Sequence, residues 1–550
     1  MPTKGVAAPI AFVGPYGMRV ARDAFAARCG DRLFAKILAS LTVKERPQRG
    51  RKKMYAVKVR RAYYVENRPG PGSTNRTPFL FLPRIKADPL RRAGLVSKVV
   101  ADRLVEPRAL SEEAAAFAPP DELFGYQTAA ITHVCDRLFS PARRAAHLST
   151  AYVNMGTGLG KTRTAVGVIC RMRVATVVVV PTIGIGEQWL DEFQESCPGM
   201  RCAMYRHASK GGRIPETTAQ THDVVVCVIN TFHTKDDAFM AGFGMVVIDE
   251  AHELHSAKFG LALWLAQTRF VLGLSATPVD RPDGLDLFVP KHLGAVVWQH
   301  EIPGFDISDA VFQGEAWRIE YTGHPEHCET AVMASGTVSA QGTIANLMGD
   351  PHRNRLIVDT AVRLFGMHET DEAAEYGLGV SPDDPPDAPV RRHGVMIMSE
   401  HREALIGIRK LLLERFAQDE VDAPELDTEG KKPGRSISVL RGGVAKDELK
   451  KARGAGAHIV LCTYGYARRG ISLVDMTCLI ELSPRRNGQM QILGRVERRG
   501  SDQRIVRVKV DIIDVRTALK GQAGERLKVY KAKGYKIVNS KVSYEDIALE

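Results

Sequence analysis

The chain has 550 residues, 44% of them hydrophobic and 25% charged, a balance that excludes fibrous and low-complexity proteins and allows several packed domains. No run approaches the ~18 apolar residues of a membrane helix, and no basic-then-apolar leader opens the chain, so an intracellular protein with no membrane partner is expected. The net charge of +13 is uneven: residues 1–110 carry 24 Lys and Arg against seven Asp and Glu, which leaves the remainder slightly acidic. A basic block of this kind suits a polyanion, most simply nucleic acid, although a solvated surface would look the same.

In chain order, the basic block holds short β-like runs at Tyr55–Val59, Ala62–Glu66 and Pro78–Leu82, with Asn67–Thr77 reading as a long turn. Its cluster Arg49-Gly50-Arg51-Lys52-Lys53 fits a nuclear address, a DNA contact or a solvated loop. From residue 113 the pattern changes. Val177–Val180, Val224–Ile229, Met245–Ile248 and Phe270–Leu274 are short β-branched runs separated by helical patterns such as Lys161–Arg173. Such runs suit strands buried on both faces of a parallel sheet. Residues 296–394 are less regular, and their acidic, Pro-rich stretch Glu369–Pro389 reads as a surface insertion or linker. The α/β pattern returns at Val395–Met398, Ser436–Leu440, His458–Cys462, Cys478–Leu482 and Val506–Ile513. The expected organisation is a small basic α+β domain at 1–112, an α/β domain at 113–295, a connecting segment at 296–394, and a second α/β domain with a tail at 395–550. Nine scattered cysteines form no CxxC pair, so they read as buried thiols in a reducing compartment.

Chemistry concentrates in the first α/β block. Met155-Gly156-Thr157-Gly158-Leu159-Gly160-Lys161-Thr162 follows a strand-like run and precedes a helix. That arrangement aims backbone N–H groups at phosphates from a helix N-terminus. Lys161 would reach the β- and γ-phosphates of ATP, and the Thr162 hydroxyl would take Mg²⁺. Met155 stands where the general pattern has its first glycine. Downstream, the apolar strand Val246-Val247-Ile248 ends in Asp249-Glu250-Ala251-His252. Asp249 would hold Mg²⁺ through water and Glu250 would act as general base on the attacking water.

These residues resemble the superfamily 2 helicases and translocases of the DEAH/DExH type, over roughly residues 115–515. The resemblance implies two tandem RecA-like parallel-sheet domains forming a helicase core. It also assigns further segments. Gln127, in Phe124-Gly125-Tyr126-Gln127, would read the adenine edge. Pro181-Thr182 and Asn230-Thr231 would contact the nucleic-acid strand, as would Thr463 and Arg469. Ser275-Ala276-Thr277 would couple hydrolysis to movement. Gln491-Ile492-Leu493-Gly494-Arg495-Val496-Glu497-Arg498 matches the closing motif, in which Gln491, Arg495 and Arg498 serve hydrolysis. Arg495 and Arg498, three apart and so on one helix face, would stabilise transition-state charge on the γ-phosphate. Arg468-Arg469 and Arg485-Arg486 are equally readable as phosphate contacts or solvated loop charges.

A narrower resemblance rests on Asp350–Ile357, Val510–Asp514, Arg526, Tyr535 and Phe81-Leu82-Pro83-Arg84. These look like the branch that includes the poxvirus transcript-release helicase and phage branch-migration helicases. The implied activity is an ATP-dependent 3′–5′ DNA helicase or duplex translocase in viral transcription, replication or recombination, with a transcription or replication complex as an implied partner. The alternatives are an RNA-dependent ATPase and a catalytically weak scaffold in a transcription complex. A restriction-system motor ranks lower, because no nuclease constellation is appended.

Overall fold

The structure, a computed structural model, describes the chain apart from residues 1, 4, 15–16, 47–57, 70–75, 102–105, 121, 206–217, 257, 267, 279–282, 308–311, 335, 337, 382, 386–387, 423–435, 441–456, 468–472, 474, 484, 486–487, 498–500 and 550. It divides into two compact units, Met1–Ile307 and Ser308–Glu550. Among the described residues no helix is long and apolar enough to cross a membrane.

The first unit opens with β1 (Ile10–Gly14), β2 (Gly17–Ala21), β3 (Thr42–Lys44), β4 (Val59–Arg61), β5 (Tyr64–Pro69), β6 (Arg76–Leu82) and β7 (Lys98–Ala101). Five of these form a mixed sheet in the order β5-β6-β2-β1-β7, and β3 pairs with β4. The sequence reading missed β1, β2, β3 and β7, which are only three to five residues long. The block packs onto the α/β body of its own unit. The Tyr64 ring stacks on Phe81 at 4.4 Å and meets Trp264 edge-on at 4.9 Å. The Arg84 guanidinium is buried and donates to the Thr268 carbonyl. Phe81-Leu82-Pro83-Arg84 is thus a packing junction. Gly17 (φ +92°) sits where a Cβ would fall 2.6 Å from the Leu82 carbonyl oxygen, so no side chain fits there.

The α/β body contains β8 (Thr150–Asn154), β9 (Thr176–Val180), β10 (Cys202–Met204), β11 (Val224–Val228), β12 (Met245–Ile248), β13 (Phe270–Ser275) and β14 (Val296–Val297). They form one sheet in the order β10-β11-β9-β12-β13-β8-β14, with every pair parallel. Strands β8, β9, β12 and β13 are buried along their whole length. This explains their unbroken apolar runs, because helices cover both faces of such a sheet.

The second unit contains β15 (Gly314–Thr322), β16 (Gly394–Ser399), β17 (Ser436–Leu440), β18 (Ala457–Thr463), β19 (Met476–Glu481), β20 (Arg507–Asp514) and β21 (Lys536–Ser543). Their order is β17-β18-β16-β19-β20-β15-β21, again all parallel. Helices Pro351–Gly366 and Arg402–Asp422 pack on one face, and Tyr464–Ala467, Gln489–Leu493 and Ala523–Ala532 on the other. Two parallel seven-stranded sheets match the expected pair of RecA-like folds.

The expected connecting segment 296–394 needs correction. It supplies β14 to the first sheet, β15 to the interior of the second, and a covering helix at Pro351–Gly366. Strand β15 escaped notice because Glu315, Arg318 and Glu320 break its apolar pattern. The acidic stretch is also tied down. Asp384 pairs with Arg391 at 2.5 Å and with Arg504 at 2.7 Å, and the Tyr376 hydroxyl donates to Glu315.

The residues behind the narrower resemblance are structural in this unit. Asp350 caps helix Pro351–Gly366, accepting from the His352 and Arg353 amides. Arg353, fully buried, pairs with Asp514 at 2.7 Å and donates to the Leu482 carbonyl. Arg526 pairs with Asp511 at 2.7 Å, and the Tyr535 hydroxyl donates to Glu497 at 2.9 Å.

Candidate nucleotide site and motor elements

In a parallel α/β sheet, ligands bind beyond the carboxyl ends of the strands. The first unit gathers its candidate residues at that edge. Strand β8 runs directly into the loop 155–162. Met155 is fully buried, and its amide donates to the Ser275 carbonyl at 3.1 Å. The departure from glycine is therefore accommodated by burial against β13. Gly158 (φ +80°) and Gly160 (φ +71°) are left-handed, a conformation that glycine adopts without strain. Gly160 caps the helix Lys161–Met172, so Lys161 and Thr162 form its first turn.

Gln127 braces this loop. Its side chain accepts from the Phe124 amide at 3.1 Å and donates to the Leu159 carbonyl at 3.4 Å. A Cβ at Gly160 would lie 2.2 Å from Gln127 Nε2. Thr157, Gly156 and Leu159 complete the turn, and the Gly156 amide donates to Gln299 Oε1 at 2.9 Å.

Strand β12 ends at Ile248 and delivers Asp249 and Glu250. Asp249 Oδ2 accepts from Trp189 Nε1 at 3.0 Å, and Oδ1 accepts from the Glu250 amide at 2.9 Å. Burial, with the neighbouring Glu250 charge, pushes the Asp249 carboxyl up, and Lys161 and the Trp189 N–H oppose that rise only in part. Glu250 holds a left-handed backbone (φ +48°), a strained state for a residue with a side chain. Its carboxylate lies 3.3 Å from His252 Nδ1. Burial alone would lower the His252 pKa, but Glu250 and Glu253 raise it above the ordinary value. His252 Nδ1 is also 2.9 Å from Ser275 Oγ, which accepts from the Thr277 amide at 3.0 Å. His252 Nδ1 therefore lies between the Glu250 carboxylate and the Ser275-Ala276-Thr277 segment at the end of β13.

Pro181-Thr182 leaves β9, and Asn230-Thr231 leaves β11, at the same sheet edge. Thr182 caps helix Ile183–Ser196 by accepting from the Ile185 amide, so it has a local structural role too. Three contributors were missed as site residues in the sequence: His252 as a relay, Trp189 as the partner of Asp249, and Gln299. His252 lay inside the recognised Asp249–His252 segment. Gln299 lay in the stretch taken for a connector.

In the second unit, Thr463 ends β18 and its hydroxyl accepts from the Tyr466 amide. Gln491 lies in helix Gln489–Leu493, and Arg495 follows its C-cap Gly494. Met398, Tyr464, Arg485, Gln491 and Arg495 line a small cavity. Beneath it, buried Glu481 accepts from the Tyr464 hydroxyl at 2.7 Å and from Gln489 Nε2, and pairs with Lys509 at 2.9 Å. Glu481 thus ties the two motif segments to β19 and β20. Arg485 pairs with Glu400 at 2.9 Å and lies over the Tyr464 ring, which favours a packing role over a solvated one. Arg469 and Arg498 lie outside the described residues, as do Arg468, Arg486 and the cluster Arg49–Lys53.

A phosphate-type loop, an acidic pair at the next strand but one, and a second parallel α/β unit define a nucleic-acid-dependent ATPase of the helicase class. Residues 121–280 match the family model described as "Type III restriction enzyme, res subunit". Over 513 residues the chain is 35% identical to an African swine fever virus protein (strain Badajoz 1971 Vero-adapted) named "Putative ATP-dependent RNA helicase QP509L", a match covering 93% of this chain and 89% of the relative. It is 28% identical over 149 residues to "DNA 3'-5' translocase XPB2" of Sulfurisphaera tokodaii, covering 26% of this chain and 31% of that one. A solved structure titled "ATP-dependent Type ISP restriction-modification enzyme LlaBIII bound to DNA" aligns over 76% of this chain and 31% of its own, with 12% identity and a TM-score of 0.49. The chain belongs to the superfamily 2 helicases, and it uses ATP and acts on nucleic acid.

Proposed function

We propose that the chain hydrolyses ATP at the edge of the first sheet and uses the cycle to translocate on duplex or forked DNA. The observation that carries the ATP-site reading is the convergence of loop 155–162, Asp249-Glu250 and Ser275–Thr277 at adjoining strand ends, joined by hydrogen bonds. Loop amides and Lys161 bind the phosphates, and Gln127 holds the loop. Glu250 accepts the proton of the attacking water. The Thr162 hydroxyl and the Asp249 carboxylate are hard oxygen donors that fit Mg²⁺. A dication there would offset the charge that burial and Glu250 make unfavourable on Asp249. Bound Mg²⁺ would supply charge neutralisation for the phosphates. Arg495 and Arg498 are assigned to transition-state charge, and Gln491 to their support. Pro181, Thr182, Asn230, Thr231, Thr463 and Arg469 are assigned to the strand, and Ser275, Ala276 and Thr277 to coupling.

DNA is favoured by the charge of the N-terminal block, whose 17 excess positive charges suit phosphate contacts along a duplex. We assign residues 1–112 to that role, within viral transcription, replication or recombination. The RNA reading is favoured by the swine fever virus relative, which is named an RNA helicase. ATP turnover of the full chain with duplex DNA, single-stranded DNA and RNA separates the two. Stimulation by RNA alone would overturn the DNA assignment. In the same assay Lys161→Ala should abolish turnover, and Glu250→Gln should bind ATP but hydrolyse it slowly. Full turnover in either variant would overturn the ATP-site assignment.

A further inference from the structure

The segment that closes the first unit touches the nucleotide site twice. Strand β14 pairs with β8, Val296 opposite Tyr152 and Val297 opposite Val153. The chain therefore leaves the sheet beside the strand that feeds the phosphate loop. A short 3₁₀ turn, Gln299–Glu301, follows, and the Glu301 carboxylate fixes its start by accepting from the Trp298 amide at 2.9 Å. That turn brings Gln299 Oε1 to 2.9 Å from the Gly156 amide, from which it accepts. Ile302 is buried, and the Phe305 amide donates to its carbonyl. The Phe305 ring then meets Tyr126 edge-on at 5.2 Å, and Tyr126 stacks on Phe124 at 5.6 Å.

Gly156 opens the loop, upstream of the amides at the helix start. Its bond to Gln299 shapes the start of the loop. A glycine-rich loop left to itself samples many conformations, and each one excluded in advance is entropy that the ligand need not remove.

We propose that Val296–Ile307 is a strap that preorganises the nucleotide site, with Gln299 as a positioning residue for nucleotide binding. This rests on reading loop 155–162 as the phosphate cradle. Because coupling is reciprocal, bound nucleotide stabilises the strap in turn. Hydrogen exchange along 296–307 thereby reports occupancy.

The test uses the full chain, a fluorescently labelled ADP, steady-state ATP turnover and hydrogen–deuterium exchange. Gln299→Met keeps the length of the side chain and removes the acceptor. It should weaken ADP binding and raise the KM for ATP about five- to tenfold, as expected for one hydrogen bond, while kcat stays within about twofold. In the unaltered chain ADP should slow exchange in 296–307, and Gln299→Met should lose that protection. Phe305→Ala, which loosens the other end, should lose part of it. Unchanged ADP affinity in Gln299→Met, or a parallel fall in KM-independent turnover and melting temperature, overturns the proposal. Lys161→Ala is the control for the cradle itself. If that variant binds ADP as well as the unaltered chain, the cradle reading has failed, whereas loss in Lys161→Ala beside full binding in Gln299→Met sinks the strap alone.

Discussion

Trp189→Phe isolates one hydrogen bond at the acidic pair. Trp189 is fully buried, and its indole N–H donates to Asp249 Oδ2 at 3.0 Å. A hydrogen bond to a charged group contributes about 1.5–3 kcal/mol. Asp249 keeps its second bond, from the Glu250 amide at 2.9 Å, so the lower end applies. About 1.5 kcal/mol corresponds to roughly tenfold in kcat/KM. The smaller ring also leaves a gap beside Phe193, which lies 5.9 Å from Trp189 between ring centroids, at about 1 kcal/mol of stability. The two effects separate by assay. ATP turnover across a Mg²⁺ titration should show kcat/KM about tenfold lower, with the half-maximal Mg²⁺ concentration raised. Nucleotide binding in the presence of a chelator should stay unchanged, because the loop and Lys161 are untouched. A lower melting temperature with an unaltered Mg²⁺ titration would refute the reasoning and leave Trp189 a packing residue.

Other substitutions probe the frame around the site. Gly160→Ala should weaken ATP binding about tenfold, since φ is +71° and the new methyl would fall on Gln127 Nε2; adding Gln127→Ala should restore part of that loss in a binding titration, and no restoration would show that backbone strain alone is responsible. Asp514→Ala should destabilise the second unit by about 3–5 kcal/mol, because it leaves buried Arg353 without its carboxylate. Urea unfolding should find the double replacement Arg353→Met, Asp514→Leu much less damaging, and additive losses would contradict the pairing. His292 is buried between Trp264 and Phe288, and burial pushes its pKa down to about 3. The unfolded chain therefore binds a proton below pH ~6.5 that the folded chain refuses, so stability falls as the pH drops through that value. Between pH 7 and pH 5 the loss is about 2 kcal/mol, and His292→Leu should remove it; an unaltered acid limb in urea titrations would show that His292 does not govern it.

What the sequence disclosed follows from how each signal is written. Strands β9, β11, β12 and β13 are buried on both faces, so their apolar runs stand out without any partner being known. The loop 155–162 and Asp249-Glu250 are local signals whose spacing along the chain carries the chemistry. Strand β15 pairs on both sides but carries Glu315, Arg318 and Glu320; Glu315 is held by Lys536, Trp317 and Tyr376, and alternation alone cannot show such partners. The bonds from Trp189 to Asp249 and from Gln299 to Gly156 join residues 60 and 143 positions apart. Neither residue type announces such a contact, and only the parallel register that sets β14 beside β8 creates the second. Asp350, Arg353, Asp511, Asp514 and Arg526 were read as a family signature; Asp350 proves to be a helix cap, and the others form the buried pairs Arg353–Asp514 and Arg526–Asp511. Charged residues in a core must be paired, so they make distinctive sequence signals without serving the reaction.

The contacts of His252 in the first unit give the acidic pair a consequence beyond hydrolysis. Glu250 is held in a strained left-handed backbone, and its carboxylate meets the same His252 nitrogen that contacts Ser275. Ser275 also contacts the loop through its carbonyl, which accepts from the Met155 amide, and anchors the Thr277 amide through its hydroxyl. Any change of charge at Glu250 is therefore felt at His252, whose raised pKa depends on that charge. A histidine that gains or sheds a proton alters what it can donate to Ser275. Ser275, at the end of β13, thus holds both the phosphate loop and the Thr277 amide and meets the histidine that lies beside the base. An ATP site without this junction could hydrolyse nucleotide, but it would have no short path by which the state of Glu250 reaches Thr277.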